Sequence, residues 1–159
     1  MPCITGVTLM NGENPLLVVA ALADKLQEYL FHCKNEAHYR ITAATKLLVG
    51  LLPTSATHVE AMLFHPDGLD LREVQFCLLC SLAELVDTID DAGIKQLAAD
   101  LAFRYAMNVN DNIEHARWMA IDLLLNHYEG ADKTNRLQEL HTKLDGDPLA
   151  LFIEEGLSG

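Results

Sequence analysis

The chain is predicted to be all-α: a stack of seven or eight short antiparallel helices, as a helical bundle or a short HEAT/TPR-like solenoid. Three observations predict this. Leu and Ala number 28 and 18 of 159 residues, and both are strong helix formers. Only 6% of the chain is aromatic, so the core must be aliphatic. Helix starts, marked by capping residues, fall near residues 14, 35, 57, 70, 90, 111, 132 and 147, mostly 20 to 22 residues apart. That rhythm suits stacked helix pairs, although two spacings, 13 and 15, break it, and no tetratricopeptide or ankyrin signature is present.

Each element has its own warrant. Residues 1–13 carry Ile4, Val7 and Leu9 before Asn11-Gly12 and read as an N-terminal arm. A lone strand there has no partner within a helical chain, so it packs loosely, pairs across a homodimer or stays disordered. Residues 14–159 form one domain. Asn14-Pro15 is an N-cap followed by Pro at the first helical position. A second helix is expected from Asn35 to Leu52, stopped by Pro53, and a third from Thr57, with Glu60 completing a capping box. The fourth opens at Asp70 and runs to about Ile89. The fifth begins at Asp90 or Asp91 and runs to Met107. A sixth from Asp111 ends at Gly130, and a seventh covers Asp132 to Leu144. Asp147-Pro148 starts a last helix that Gly156 closes.

Charge excludes several functions. With 23 acids against 11 bases, the formal net charge is −12. A nucleic-acid binder needs a basic footprint, and so does a protein held on an anionic membrane. The imbalance is −3 over residues 1–80 and −9 over residues 81–159, so an acidic recognition surface belongs to the second half. The apolar run Leu16 to Ala23 is too short to span a bilayer. It also lacks a preceding Lys or Arg, so the chain is expected to be cytoplasmic.

The catalytic and metal-binding patterns are sparse. Cys77-Leu78-Leu79-Cys80 is a CxxC, but it sits inside a predicted helix between Phe76 and Leu82, where two small core residues are the simpler reading. The remaining cysteines are Cys3 and Cys33, and the only nearby helper is His32. The seven histidines, at 32, 38, 58, 65, 115, 127 and 141, are spread about one per segment with no HExxH and no Glu-x-x-His. There is no GxSxG and no glycine-rich phosphate loop. No metal and no cofactor is therefore expected, and no catalytic residue is assigned.

The acids supply the candidate site. Glu84, Asp87, Asp90 and Asp91 cluster at one helix–helix corner, and on a continuous helix Glu84, Asp87 and Asp91 would lie near one face. Capping accounts for one acid but not for four. Trp118 is expected to pack in the core beside Ile121 and Leu125, with Asp122 one turn away. The expected function is a non-enzymatic protein-binding module that presents Glu84, Asp87, Asp90, Asp91 and Asp122 to a basic protein partner. An immunity or antitoxin-type inhibitor and a chaperone or adaptor both fit. The rival is a metal-binding or catalytic helical protein using Cys77, Cys80 and nearby histidines.

Overall fold

The computed structural model describes residues 14–34, 36–67, 70–108 and 114–158. The proposed arm at 1–13, together with Asn35 and Asp111, lies outside them. The described residues are all-helical, without strand: α1 (Pro15–His32), α2 (His38–Gly50), α3 (Ala56–Leu63), α4 (Arg72–Thr88), α5 (Ala92–Met107), α6 (Glu114–Asp122), α7 (Lys133–Lys143) and α8 (Pro148–Ser158). A π-helical turn, Leu123–His127, continues α6. No helix among them is long and apolar enough to cross a membrane.

The helices form where apolar residues recur at helical spacing. α2 buries Ile41, Ala44, Thr45, Leu48 and Val49, a single stripe of the i, i+3, i+4, i+7, i+8 kind. α4 differs. It buries Val74, Gln75, Cys77, Leu78, Leu79, Ser81, Leu82, Ala83 and Val86, more than half its residues, as a helix with neighbours on several sides must. α4 indeed packs against α2, α3, α5 and α6. The principal contacts join helices one or two apart in the chain, with the π turn counted as part of α6: α1 to α2 and α3, α2 to α4, α4 to α6, α5 to α7, α7 to α8. The result is a helical bundle built by stacking each helix on the preceding two.

Caps agree with the sequence at some ends and not at others. Asn14 Oδ1 accepts from the Leu16 amide at 3.0 Å, with Pro15 opening α1. Asp91, rather than Asp90, caps α5 and accepts from the Gly93 and Ile94 amides at 2.9 and 3.1 Å. Asp147 accepts from the Leu149 amide at 2.9 Å. The Thr57–Glu60 capping box does not form, because α3 begins at Ala56 behind Ser55, whose hydroxyl donates instead to the Leu48 carbonyl at 2.6 Å. Asp70 likewise leaves α4 uncapped and pairs with Lys34 at 3.2 Å. Gly156 does not close α8, which runs on to Ser158. A Cβ at that glycine would lie 2.2 Å from Leu125 Cδ2, so the residue permits close packing rather than a stop.

The sixth helix departs most from expectation. It stops being α-helical at Asp122, and the Tyr128 amide bonds to the Leu123 carbonyl five residues back at 2.9 Å. The chain then extends so that Tyr128 folds over Gly130, where a Cβ would meet its hydroxyl oxygen at 1.9 Å. The Tyr128 hydroxyl bonds to Asp132 and lies 2.6 Å from Gln96 Oε1, while Asp132 Oδ2 accepts from Gln96 Nε2 at 3.0 Å and Arg136 Nε at 2.6 Å. Asp132 is thus spent on tertiary partners and makes no cap bond to α7.

The hydrogen bond from Tyr128 is the main cause that holds the Asp132 carboxyl well below its usual 3.8, with Arg136 and Gln96 helping against an opposing push from burial. Burial, reinforced by Asp132, pushes the Tyr128 phenol up to about 12. Because the folded value of Asp132 lies under the unfolded one, its stabilisation is complete above about pH 5 and is lost progressively as pH falls below that. The stability gap between the wild type and Asp132→Asn should therefore narrow from about pH 5 to about pH 2 in urea titrations. A gap that does not change with pH would show that the carboxylate charge contributes nothing.

Of the five buried polar or charged side chains among the described residues, Thr45, Ser55, Gln75, Ser81 and Arg117, two are large side chains within the core. Gln75 Nε2 donates to the Met62 and Leu63 carbonyls at 3.0 and 3.1 Å, satisfying the end of α3, and Gln75 Oε1 accepts from the Tyr105 hydroxyl at 2.9 Å. Arg117 is the other. Only 1% exposed, it reaches Asp147 Oδ2 at 3.8 Å, and its Nε and Nη2 have no hydrogen-bond partner among the described residues. Trp118, expected in the core, is 41% exposed and packs on Phe152 with ring centroids 5.9 Å apart. α6 turns Ala116, Arg117, Ala120 and Ile121 inward, which leaves the neighbouring position 118 on the flank.

Candidate functional site

α4 ends at Thr88, and Ile89 is extended, with φ −99° and ψ 146°. Glu84 and Asp87 therefore project from the last turns of α4, whereas Asp90 and Asp91 lie in the connector to α5. The continuous face shared by Glu84, Asp87 and Asp91 does not form, because the helix stops between them. Asp122 closes α6, which packs against both α4 and α5.

The structure brings Asp87 and Asp122 together through a residue the sequence reading did not assign to the site. His127 Nδ1 lies 2.8 Å from Asp87 Oδ2, and its Nε2 lies 3.3 Å from Asp122 Oδ2. Asn126 Nδ2 also donates to Asp122 Oδ1 at 2.6 Å. Asp122 and His127 are five residues apart, a spacing that does not share a face on an α-helix but does where the turn is widened to i→i+5 bonding. The π turn thus creates the Asp87–His127–Asp122 bridge. Five consecutive unmarked residues, LLLNH, give no sequence sign of it.

The other acids of the corner are engaged differently. Glu84 pairs with Lys46 of α2 at 3.2 Å, with both side chains more than half exposed, so the pair contributes about 0–1 kcal/mol. The Asp91 charge sits at the N-terminus of α5, where it is favourable. Asp90 is exposed and has no ion-pair partner among the described residues. Among the described residues, Lys46 and His127 are the ion-pair partners of Glu84, Asp87 and Asp122, so carboxylates outnumber their basic partners at the corner.

The cysteines have the burial expected of core residues. Cys77 is buried and Cys80 half-buried, and both are free thiols, as is the buried Cys33. Burial is the main cause raising the Cys77 thiol and pushing that of Cys80 up to about 11, the reverse of what a reactive redox pair requires. The structure does not bring His32 to Cys77. It brings His38 of α2 instead, together with Glu73 of α4.

The described residues define the chain as an all-helical stack. No protein-family model, no curated protein and no solved structure matches it.

Proposed function

We propose that the protein is a non-enzymatic binding module whose acidic corner receives a basic surface of a protein partner. One observation supports this above the others: His127 joins Asp87 of α4 to Asp122 of α6, Glu84, within a turn of Asp87, pairs with Lys46, and Asp90 and Asp91 follow in the connector to α5. Like charges held this close repel, and only part of the cluster is explained by the Asp91 cap and the His127 bridge. An immunity or antitoxin-type inhibitor, or a chaperone or adaptor, would use such a surface to draw in a basic partner.

The test is kinetic. A partner captured from native extract should bind with an on-rate that falls steeply as salt rises. The triple variant Asp87→Asn, Asp90→Asn, Asp91→Asn should lower that on-rate by about tenfold or more. Asparagine keeps the N-cap at 91, so a loss cannot be ascribed to fraying of α5. Single neutralisation of Asp90 should change little. An on-rate that ignores both salt and the triple substitution would reduce the corner to a solvated surface.

A further inference from the structure

A second cluster lies between α2 and α4 and does not depend on the acidic corner. Glu73 and Cys77 are one turn apart on α4 and share a face, an i, i+4 relation. His38 opens α2, which packs against α4. Cys77 Sγ lies 3.9 Å from His38 Nδ1 and 3.9 Å from Glu73 Oε1, and His38 Nδ1 is hydrogen-bonded to Glu73 Oε1. All three ligand atoms fall within 4.8 Å of one another. The CxxC partner Cys80 is not part of the cluster.

We propose that His38, Glu73 and Cys77 form a three-ligand site for a divalent transition metal, zinc in the first instance. In a tetrahedral zinc site, bonds of about 2.0–2.3 Å to N, O and S place neighbouring ligand atoms roughly 3.3–3.6 Å apart. The two sulfur distances exceed this by a few tenths of an ångström. Only the His38–Glu73 pair has to open, and both side chains are exposed enough to rotate, at 62% and 45%. A thiolate beside an imidazole and a carboxylate suits zinc or cobalt and disfavours magnesium and calcium, which take all-oxygen shells. Thr42 supplies an outer contact: its hydroxyl donates to the His38 carbonyl at 2.9 Å and lies 3.7 Å from Cys77 Sγ. Three protein ligands leave the fourth position to water on the exposed side of His38, the pattern of an open rather than a closed zinc site. A bound ion would also clamp α2 to α4, in addition to their buried apolar contacts, the Ser81–Thr45 hydrogen bond and the Lys46–Glu84 pair.

The experiment uses full-length, tag-free protein, reduced and stripped of metal. Titration with Co2+ should give one ion per chain, with the near-ultraviolet thiolate-to-cobalt absorption and the visible bands of tetrahedral cobalt, and Zn2+ should displace it. Cys77→Ala should abolish the thiolate band, while Cys80→Ala should retain it. His38→Ala and Glu73→Gln change exposed side chains, so the fold should survive, and each, as the loss of a direct ligand, should weaken Zn2+ binding by at least about tenfold. Circular dichroism of each variant separates loss of the site from loss of the fold. Absence of a cobalt–thiolate band in the wild type overturns the site. So does a band lost with Cys80→Ala but kept with Cys77→Ala, or Zn2+ affinity unchanged in both His38→Ala and Glu73→Gln.

Discussion

Leu78→Ala is expected to destabilise the protein by about 2–5 kcal/mol. Leu78 is fully buried near the middle of α4, between the equally buried Val74 and Leu82. α4 contacts α2, α3, α5 and α6, so a cavity at this position touches several helices at once and cannot be closed by one of them moving in. In a chain of this length that loss lowers Tm by about 10 °C. Thermal unfolding followed at 222 nm measures it. A shift below about 2 °C would mean that the neighbours collapse onto the vacancy and that α4 is not the centre of the core.

Arg117→Met is expected to act in the opposite direction and raise stability by about 1–4 kcal/mol. The guanidinium is 1% exposed, and its one ionic contact among the described residues, to Asp147, is 3.8 Å long. Nε and Nη2 have no protein partner among the described residues, so the charge loses its hydration and recovers little. Methionine fills a similar volume with a flexible apolar chain. Asp147 is part exposed and still accepts from the Leu149 amide, so removing the arginine does not leave a buried anion without a partner. Urea unfolding of the two proteins decides the sign. A loss of more than about 1 kcal/mol would show that the guanidinium is well satisfied in solution, by water or otherwise.

The number and order of helices were legible in the sequence because local chemistry sets them. Asn14-Pro15, the Asp91 cap and Asp147-Pro148 act through bonds to amides two or three residues on, which sequence spacing reports directly. The same residue types misled where a tertiary partner competed. Asp70 turned to Lys34, and Asp132 to Tyr128 and Arg136, none of which a cap pattern contains. Trp118 and Arg117 exchange the places their hydropathy assigns, since one residue of rotation about α6 decides which faces the core.

The candidate sites were less legible than the fold. Glu84, Asp87, Asp90, Asp91 and Asp122 could be found as a local excess of acid, but the His127 bridge depends on the π turn. Glu73 and Cys77 have the i, i+4 spacing of residues that share a helix face. His38 is 35 residues from Glu73, and only the packing of α2 on α4 unites them.

The stacking of each helix on the preceding two also bears on how fast the chain acquires its structure. Helices that meet neighbours one or two places along need only short loops to close, so little entropy is lost before the first contacts form. Such local topology places folding in the microsecond to millisecond range, far quicker than sheets of equal stability. The junctions α1–α2 and α7–α8 involve separate stretches of chain, and each pair can begin to associate before the other has formed.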